Sequence, residues 1–127
     1  MDEKKMEKNT MEANYTDGDT FFSCHVELAN KSISGKWKIL ILFRLSLHEF
    51  IRYSELRKEL GSISEKMLSN QLKELENDGL VNRNVYPVVP PKVEYSLTES
   101  GKGIIPVIVA LRNFGCFLKH RNGETNY

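Results

Sequence analysis

Two kinds of chemistry can be read from the residue types along this chain. The first is thiol chemistry. Cys24 is followed at once by His25 and falls just before or at the start of a short helical pattern, where unpaired backbone N–H groups and the helix dipole favour a thiolate. His25 either activates that thiolate or caps the helix, and Cys24 can equally be a small buried hydrophobe. Cys116 lies 92 positions further on, a separation that makes neither a metal knuckle nor a dense disulfide framework. Cys24 with His25, His48 or His120 offers the parts of a nucleophile and base. Nothing else supports catalysis: there is no glycine-rich phosphate loop, nucleophile elbow, paired-histidine zinc motif or clustered acid pair. The expectation is a protein that is not an enzyme and uses no cofactor or metal.

The second chemistry is recognition of a polyanion. The stretch YSELRKELGSISEKMLSNQLKELENDG reads as two helices joined at Gly61. Leu56 and Leu60 share a face of the first, and Ser54 is placed to cap it. The second opens with Ser62-x-x-Glu65, a capping-box spacing. Leu68, Leu72 and Leu75 then form an i, i+4, i+7 stripe toward a core, leaving Lys66, Ser69, Asn70, Lys73 and Asn77 on the other side. That outer face is nearly free of acids until Glu74 and Glu76, late in the helix. Two short helices with a tight glycine turn are the sequence form of a helix-turn-helix, whose second helix can enter a major groove.

Next comes YPVVPPKVEY, with three of the chain's four prolines. Val81 to Tyr86 and Lys92 to Thr98 predict two strands, with Val93, Tyr95 and Leu97 on one face and Glu94, Ser96 and Thr98 on the other. Proline cannot donate to a strand ladder, so Pro87, Pro90 and Pro91 belong at the tip and stiffen it. The result is a two-stranded wing carrying Arg83 and Lys92, which can reach phosphate or the minor groove.

The elements that must hold these groups are few. A chain of 127 residues, 40% hydrophobic and 28% charged, suits one modest core in a cytoplasmic domain over residues 21–127. Residues 1–20 carry six acids against three lysines and lack periodicity, which predicts a disordered arm and leaves fifteen bases against eleven acids on the remainder. Apolar runs fall short of the roughly 18 residues of a membrane span, so no membrane partner is expected. Cys24 to about Ser32 predicts a short helix. In GKWKILILFRLSL, Trp37, Ile39, Leu40, Ile41, Leu42, Phe43 and Leu45 are apolar on nearly all sides, which predicts a buried central helix. Between Glu99 and about Lys119, Ile104, Val107, Ile108, Leu111, Phe114 and Leu118 make one apolar face, and Ile105, Ala110 and Phe117 extend it beyond the needs of one small core. A partner subunit is expected there. Pro106 lies deep enough in this pattern to bend the helix.

GKWK, ISEKMLSNQLKELENDGLV and VYPVVPPKVEYSLTESG, in this order, resemble the HxlR-type winged helix-turn-helix transcriptional regulators, relatives of the MarR group, over about residues 24 to 118. The resemblance implies a mainly α fold with a small antiparallel β-hairpin, forming a homodimer on double-stranded operator DNA. It implies control of transcription, often in response to oxidants or electrophiles. The helix matching Ser64 to Asn77 would lie in the major groove, with the hairpin beside it. The candidate DNA contacts are thus Ser54, Ser64, Lys66, Ser69, Asn70, Lys73, Arg83 and Lys92. Two symmetric recognition helices would meet half-sites roughly 34 Å apart, so an inverted-repeat operator and repression are expected. The resemblance also implies redox sensing at Cys24, and in some relatives a cysteine near Cys116 pairs with it across the dimer. The family usually has proline after that first cysteine, where this chain has His25. Two other readings stay open: a regulator that senses a small apolar ligand between subunits, and a winged helix that binds protein instead of DNA.

Overall fold

The computed structural model describes residues 19–121, with side chains from Cys24 onward. The expected arm, apart from its last two residues, lies outside the described residues. The elements in chain order are helix α1 (Asp19–Ile33), helix α2 (Lys38–Ser46), strand β1 (Ile51–Arg52), helix α3 (Tyr53–Leu60), helix α4 (Glu65–Asn77), strands β2 (Val81–Tyr86) and β3 (Lys92–Leu97), a 3-10 turn (Gly101–Ile104), and helix α5 (Ile105–Arg121). The chain divides into two compact units, one ending at Ser34 and the other beginning at Gly35. The first unit contains α1. That helix starts five residues upstream of Cys24, so the thiol sits beyond the first turn and not at a helix N-terminus as expected.

In the second unit, α2 is buried along one face only. Lys38, Ile41, Leu42 and Leu45 fall at i, i+3, i+4, i+7 and are buried, whereas Leu40 and Leu47 are exposed. The helix is therefore two-faced rather than wholly interior, because its second apolar side meets α5 across an open groove. The buried face joins Leu56 of α3, Ile63, Leu68, Leu72 and Leu75 of α4, Val81 of β2, and Ile51 and Tyr95 of β1 and β3. Each leucine so buried contributes about 1.5–3 kcal/mol of transfer free energy. The leucine stripe of α4 is the one that the helical period indicates.

Helix α4 does not begin with the expected capping box. Ser64, in extended conformation, is its N-cap, and its Oγ accepts the Met67 N–H at 3.1 Å. Ile63 must be buried, and this sets the start two residues beyond Ser62. Ile63 and Leu68 then occupy the N′ and N4 positions of a hydrophobic staple. Helix α3 likewise starts at Tyr53 after Arg52, which provides no side-chain cap, so Ser54 is a first-turn residue and not the cap. At the far end of α4, Gly79 takes φ 77° and Leu80 N–H returns to the Leu75 carbonyl at 3.0 Å, a Schellman-type closure that turns the chain into β2.

The two predicted strands form the antiparallel hairpin of the wing, and the two-residue β1 joins it as a third strand. The antiparallel order is β1-β3-β2, with Ile51 opposite Tyr95 and Arg52 opposite Glu94 on one side of β3, and Arg83 opposite Tyr95 on the other. Pro87, Pro90 and Pro91 occupy the connection between β2 and β3. Thr98 ties the wing's exit to the end of α4: its Oγ1 donates to the Gly79 carbonyl at 2.6 Å and accepts the Gly101 N–H at 2.9 Å. Pro106 is the second residue of α5, because a 3-10 turn precedes it; it is a first-turn proline whose missing N–H costs no bond, and not a mid-helix bend.

No residue of α5 is buried. The stretch Gly101–Arg121 is long and apolar enough to cross a membrane by length and composition, which the uninterrupted apolar runs did not suggest. Within the fold those side chains have another use: Ile105, Ile108, Val109 and Leu111 line the groove against Ile39, Leu40 and Phe43 of α2 and Leu47 just after it, a space of about 710 Å³.

Candidate nucleic-acid interface

Helix α4 presents Lys66, Ser69, Asn70 and Lys73 to solvent, opposite the buried Leu68, Leu72 and Leu75. The facing direction is set by burial: three leucines in the core leave only one way for the polar side chains to point. Ser64 is also exposed, but its Oγ is occupied by the cap of α4. Glu74, one of the two acids late in the helix, is drawn back by the Lys38 ammonium, which donates to its Oε1 at 2.6 Å.

Tyr53 locks the two helices of the helix-turn-helix together. Its hydroxyl donates to the Glu65 carbonyl at 3.2 Å and lies 3.1 Å from Ser69 Oγ. Its ring leans on Tyr95 of β3, with centroids 6.4 Å apart, so the wing is referenced to the same point. Burial lifts the Tyr95 phenol above its ordinary range, while the Arg83 guanidinium beside it pulls the other way.

Between these elements is an open cavity of about 400 Å³ that brings together four of the expected contacts, Ser54, Ser69, Arg83 and Lys92. It also contains two residues that sequence reasoning missed, Arg52 and Tyr53. Arg52 escaped notice because β1 is only two residues long, too short for alternation to register. The cavity's lining holds no carboxylate.

Arg83 and Lys92 are not equivalent. Strand alternation and register put Arg83 with Tyr95 on one face of the sheet and Lys92 with Tyr86 and Glu94 on the other. Lys92 Nζ is 3.3 Å from Glu94 Oε2 and 4.9 Å above the Tyr86 ring, so much of its charge is spent within the wing. The Glu94 carboxylate nearby raises the Tyr86 phenol above its ordinary range. Arg83 forms no ion pair with a carboxylate among the described residues.

Cys24 is exposed on α1, Cys116 is half-buried on α5, and both are free. Among the described residues there is no cluster of three or more potential metal ligands.

Comparison with known proteins agrees with this geometry. The family model described as HxlR-like helix-turn-helix matches residues 32–122, a span that contains both helices, the wing and α5. An uncharacterized HTH-type transcriptional regulator of Methanothermobacter thermautotrophicus is 48% identical over 98 residues, covering 77% of this chain and 74% of that one. A MarR-family regulator of Porphyromonas gingivalis W83 superposes with TM-score 0.70 at 43% identity, over 72% of this chain and 89% of that one. The oxidized form of the redox regulator HypR superposes with TM-score 0.68 at 38% identity, over 82% of this chain and all of that one. With a helix-turn-helix, a wing and a matched span that includes most of its length, this chain belongs to the HxlR-like helix-turn-helix family of transcriptional regulators.

Proposed function

We propose that this chain is a non-catalytic repressor that acts in the cytoplasm as a homodimer on an inverted-repeat DNA operator. The observation that carries the reading is the exposed, acid-poor face of α4, flanked by the wing. Asn70 suits bidentate contact with an adenine edge, Ser69 can bond to several bases, and Lys66 and Lys73 supply charge toward phosphates. The apolar, unburied α5 supplies a surface for a second copy, and two-fold symmetry would pair the recognition helices.

Selection of bound duplexes from a random pool tests this, followed by titration of the selected sequence at two salt concentrations. A two-fold symmetric sequence is expected. Asn70→Ala should cost about 1–3 kcal/mol at one position in each half-site, whereas Lys66→Glu with Lys73→Glu should weaken all duplexes alike. A pool that stays random would remove the DNA reading and favour a protein-binding winged helix.

A second reading concerns the signal. Similarity to HypR, a redox regulator by name, and the exposure of Cys24 favour control by thiol oxidation or electrophiles. Cys24→Ser should then bind operator normally and lose the oxidant response. Should an inducer still act on Cys24→Ser, a small apolar ligand in the α2–α5 groove becomes the better account.

A further inference from the structure

One proton decides what Ser69 can read. We propose that the Tyr53 hydroxyl fixes Ser69 Oγ as a hydrogen-bond acceptor toward DNA, so that Ser69 selects a base with an amino group on its major-groove edge, adenine over guanine or cytosine over thymine; this rests on the DNA-binding reading above.

A phenol and a serine hydroxyl each carry one proton and can accept as well as donate. The Tyr53 hydroxyl has two neighbours, the Glu65 carbonyl at 3.2 Å and Ser69 Oγ at 3.1 Å. A carbonyl only accepts, so the first contact is a hydrogen bond only when the Tyr53 proton points to it. The Ser69 proton must then make the second, pointing back to the Tyr53 oxygen. The reverse assignment, with Tyr53 donating to Ser69, sets the lone pairs of the phenol against those of the carbonyl and leaves one bond unmade. Only one placement of the two protons satisfies both contacts.

The consequence falls on the exposed side. Ser69 stands beside Asn70 on the solvent face of α4, with its only proton turned inward to Tyr53. What it offers a duplex is a lone pair. In the major groove adenine N6 and cytosine N4 are donors, whereas guanine O6 and thymine O4 are acceptors that would meet Ser69 lone pair to lone pair. A serine without such a partner serves both kinds of base, because its hydroxyl rotates to suit. The phenol itself is held from two sides: the Glu65 carbonyl belongs to the first turn of α4, and the Tyr53 ring leans on Tyr95 of β3. Tyr53 is thus a positioning residue that acts on specificity through Ser69.

The full-length chain is used to select duplexes from a random pool, as wild type, Ser69→Ala, Tyr53→Phe and the double variant, with thermal melting to check that each folds. Ser69→Ala should erase the preference at one position in each half-site. There wild type should favour adenine over guanine, or cytosine over thymine, by about tenfold, the order of cost of leaving two acceptors facing each other. Tyr53→Phe frees the serine proton and should flatten that preference while the other positions keep theirs, and the double variant should match Ser69→Ala at that position. A second measurement needs no Tyr53 variant: the selected base is replaced by its deamino analogue, purine for adenine or 2-pyrimidinone for cytosine. This should weaken wild type by about tenfold and leave Ser69→Ala unaffected.

A preference for guanine or thymine at that position, or a deamino analogue that binds wild type as well as the natural base does, would overturn the proposal while DNA binding stands. Tyr53→Phe that weakens every duplex alike with the preference intact would reduce Tyr53 to a structural contact and overturn it too, as would a Ser69→Ala selection in which no position changes. Wild type that selects no sequence would instead remove the DNA reading, and this proposal with it.

Discussion

Lys38 Nζ lies 2.6 Å from Glu74 Oε1, joining the first residue of α2 to the last turn of α4. The two partners are unequally covered, with the lysine side chain 8% exposed and the glutamate 55%. The desolvation cost therefore rests almost entirely on the ammonium, and the pair fixes the rotation of α4 about the axis that its three leucines define.

This inequality makes the two single substitutions differ. Glu74→Ala leaves a buried ammonium without its partner and should cost about 1–3 kcal/mol, whereas Lys38→Met leaves a carboxylate that water can solvate and should cost less. The paired change Lys38→Met with Glu74→Leu should restore stability in urea denaturation and yet reduce discrimination between operator and random DNA. Equal costs for the two single changes, or full discrimination in the pair, would show that the contact does not orient α4.

How far the sequence could be read follows from what each signal depends on. The stripe Leu68, Leu72, Leu75 was legible because a helical period imposes itself over thirteen residues. The wing strands were legible because alternation and prolines act locally. The buried role of Lys38 was not, since a lysine ordinarily signals solvent and its partner is 36 residues away. Strand β1 was invisible because two residues have no period, and with it went Arg52. Ser62-x-x-Glu65 satisfied a local rule that lost to a tertiary one, the burial of Ile63. Cys24 was misplaced relative to its helix because the adjacent pair Phe21-Phe22, between polar Asp19-Thr20 and Ser23, sets no helical period. The surplus apolar surface of α5 was apparent, but what covers it depends on a partner that composition does not name.

The cap of α4 offers a clean test of that correction. Ser64→Ala removes the acceptor for the Met67 N–H and should destabilise the protein by about 1 kcal/mol, while Ser62→Ala should fall within about 0.5 kcal/mol of wild type. Thermal or urea melting distinguishes them, and the reverse order would restore the capping box at Ser62.

Among the described glycines, Gly101 has the least room for a side chain. It is buried, and a Cβ built on it would overlap the Leu80 carbonyl oxygen, which already accepts the Thr98 N–H. Neither group can retreat without opening the junction between α4, the wing and α5. Gly101→Ala should therefore cost about 3 kcal/mol or more, against a change within about 0.5 kcal/mol for Gly103→Ala, whose added methyl meets open space. Comparable melting temperatures for the two variants would contradict the packing at Leu80.

The last prediction concerns α5. Phe114 and Phe117 stack with ring centroids 6.2 Å apart, yet stand 57% and 59% exposed, so together they present an aromatic surface that one chain leaves in water. If a second copy covers it, wild type should sediment as a dimer at micromolar concentration, and Phe114→Asp with Phe117→Asp should sediment as a monomer. The fold of each copy should survive, because neither ring contributes to the buried core. DNA affinity should fall by about 10²–10⁴, since two tethered half-site contacts become two independent ones. Wild type that sediments as a monomer at every concentration would remove the homodimer, whereas a monomeric variant with undiminished affinity would show that one recognition helix and its wing suffice.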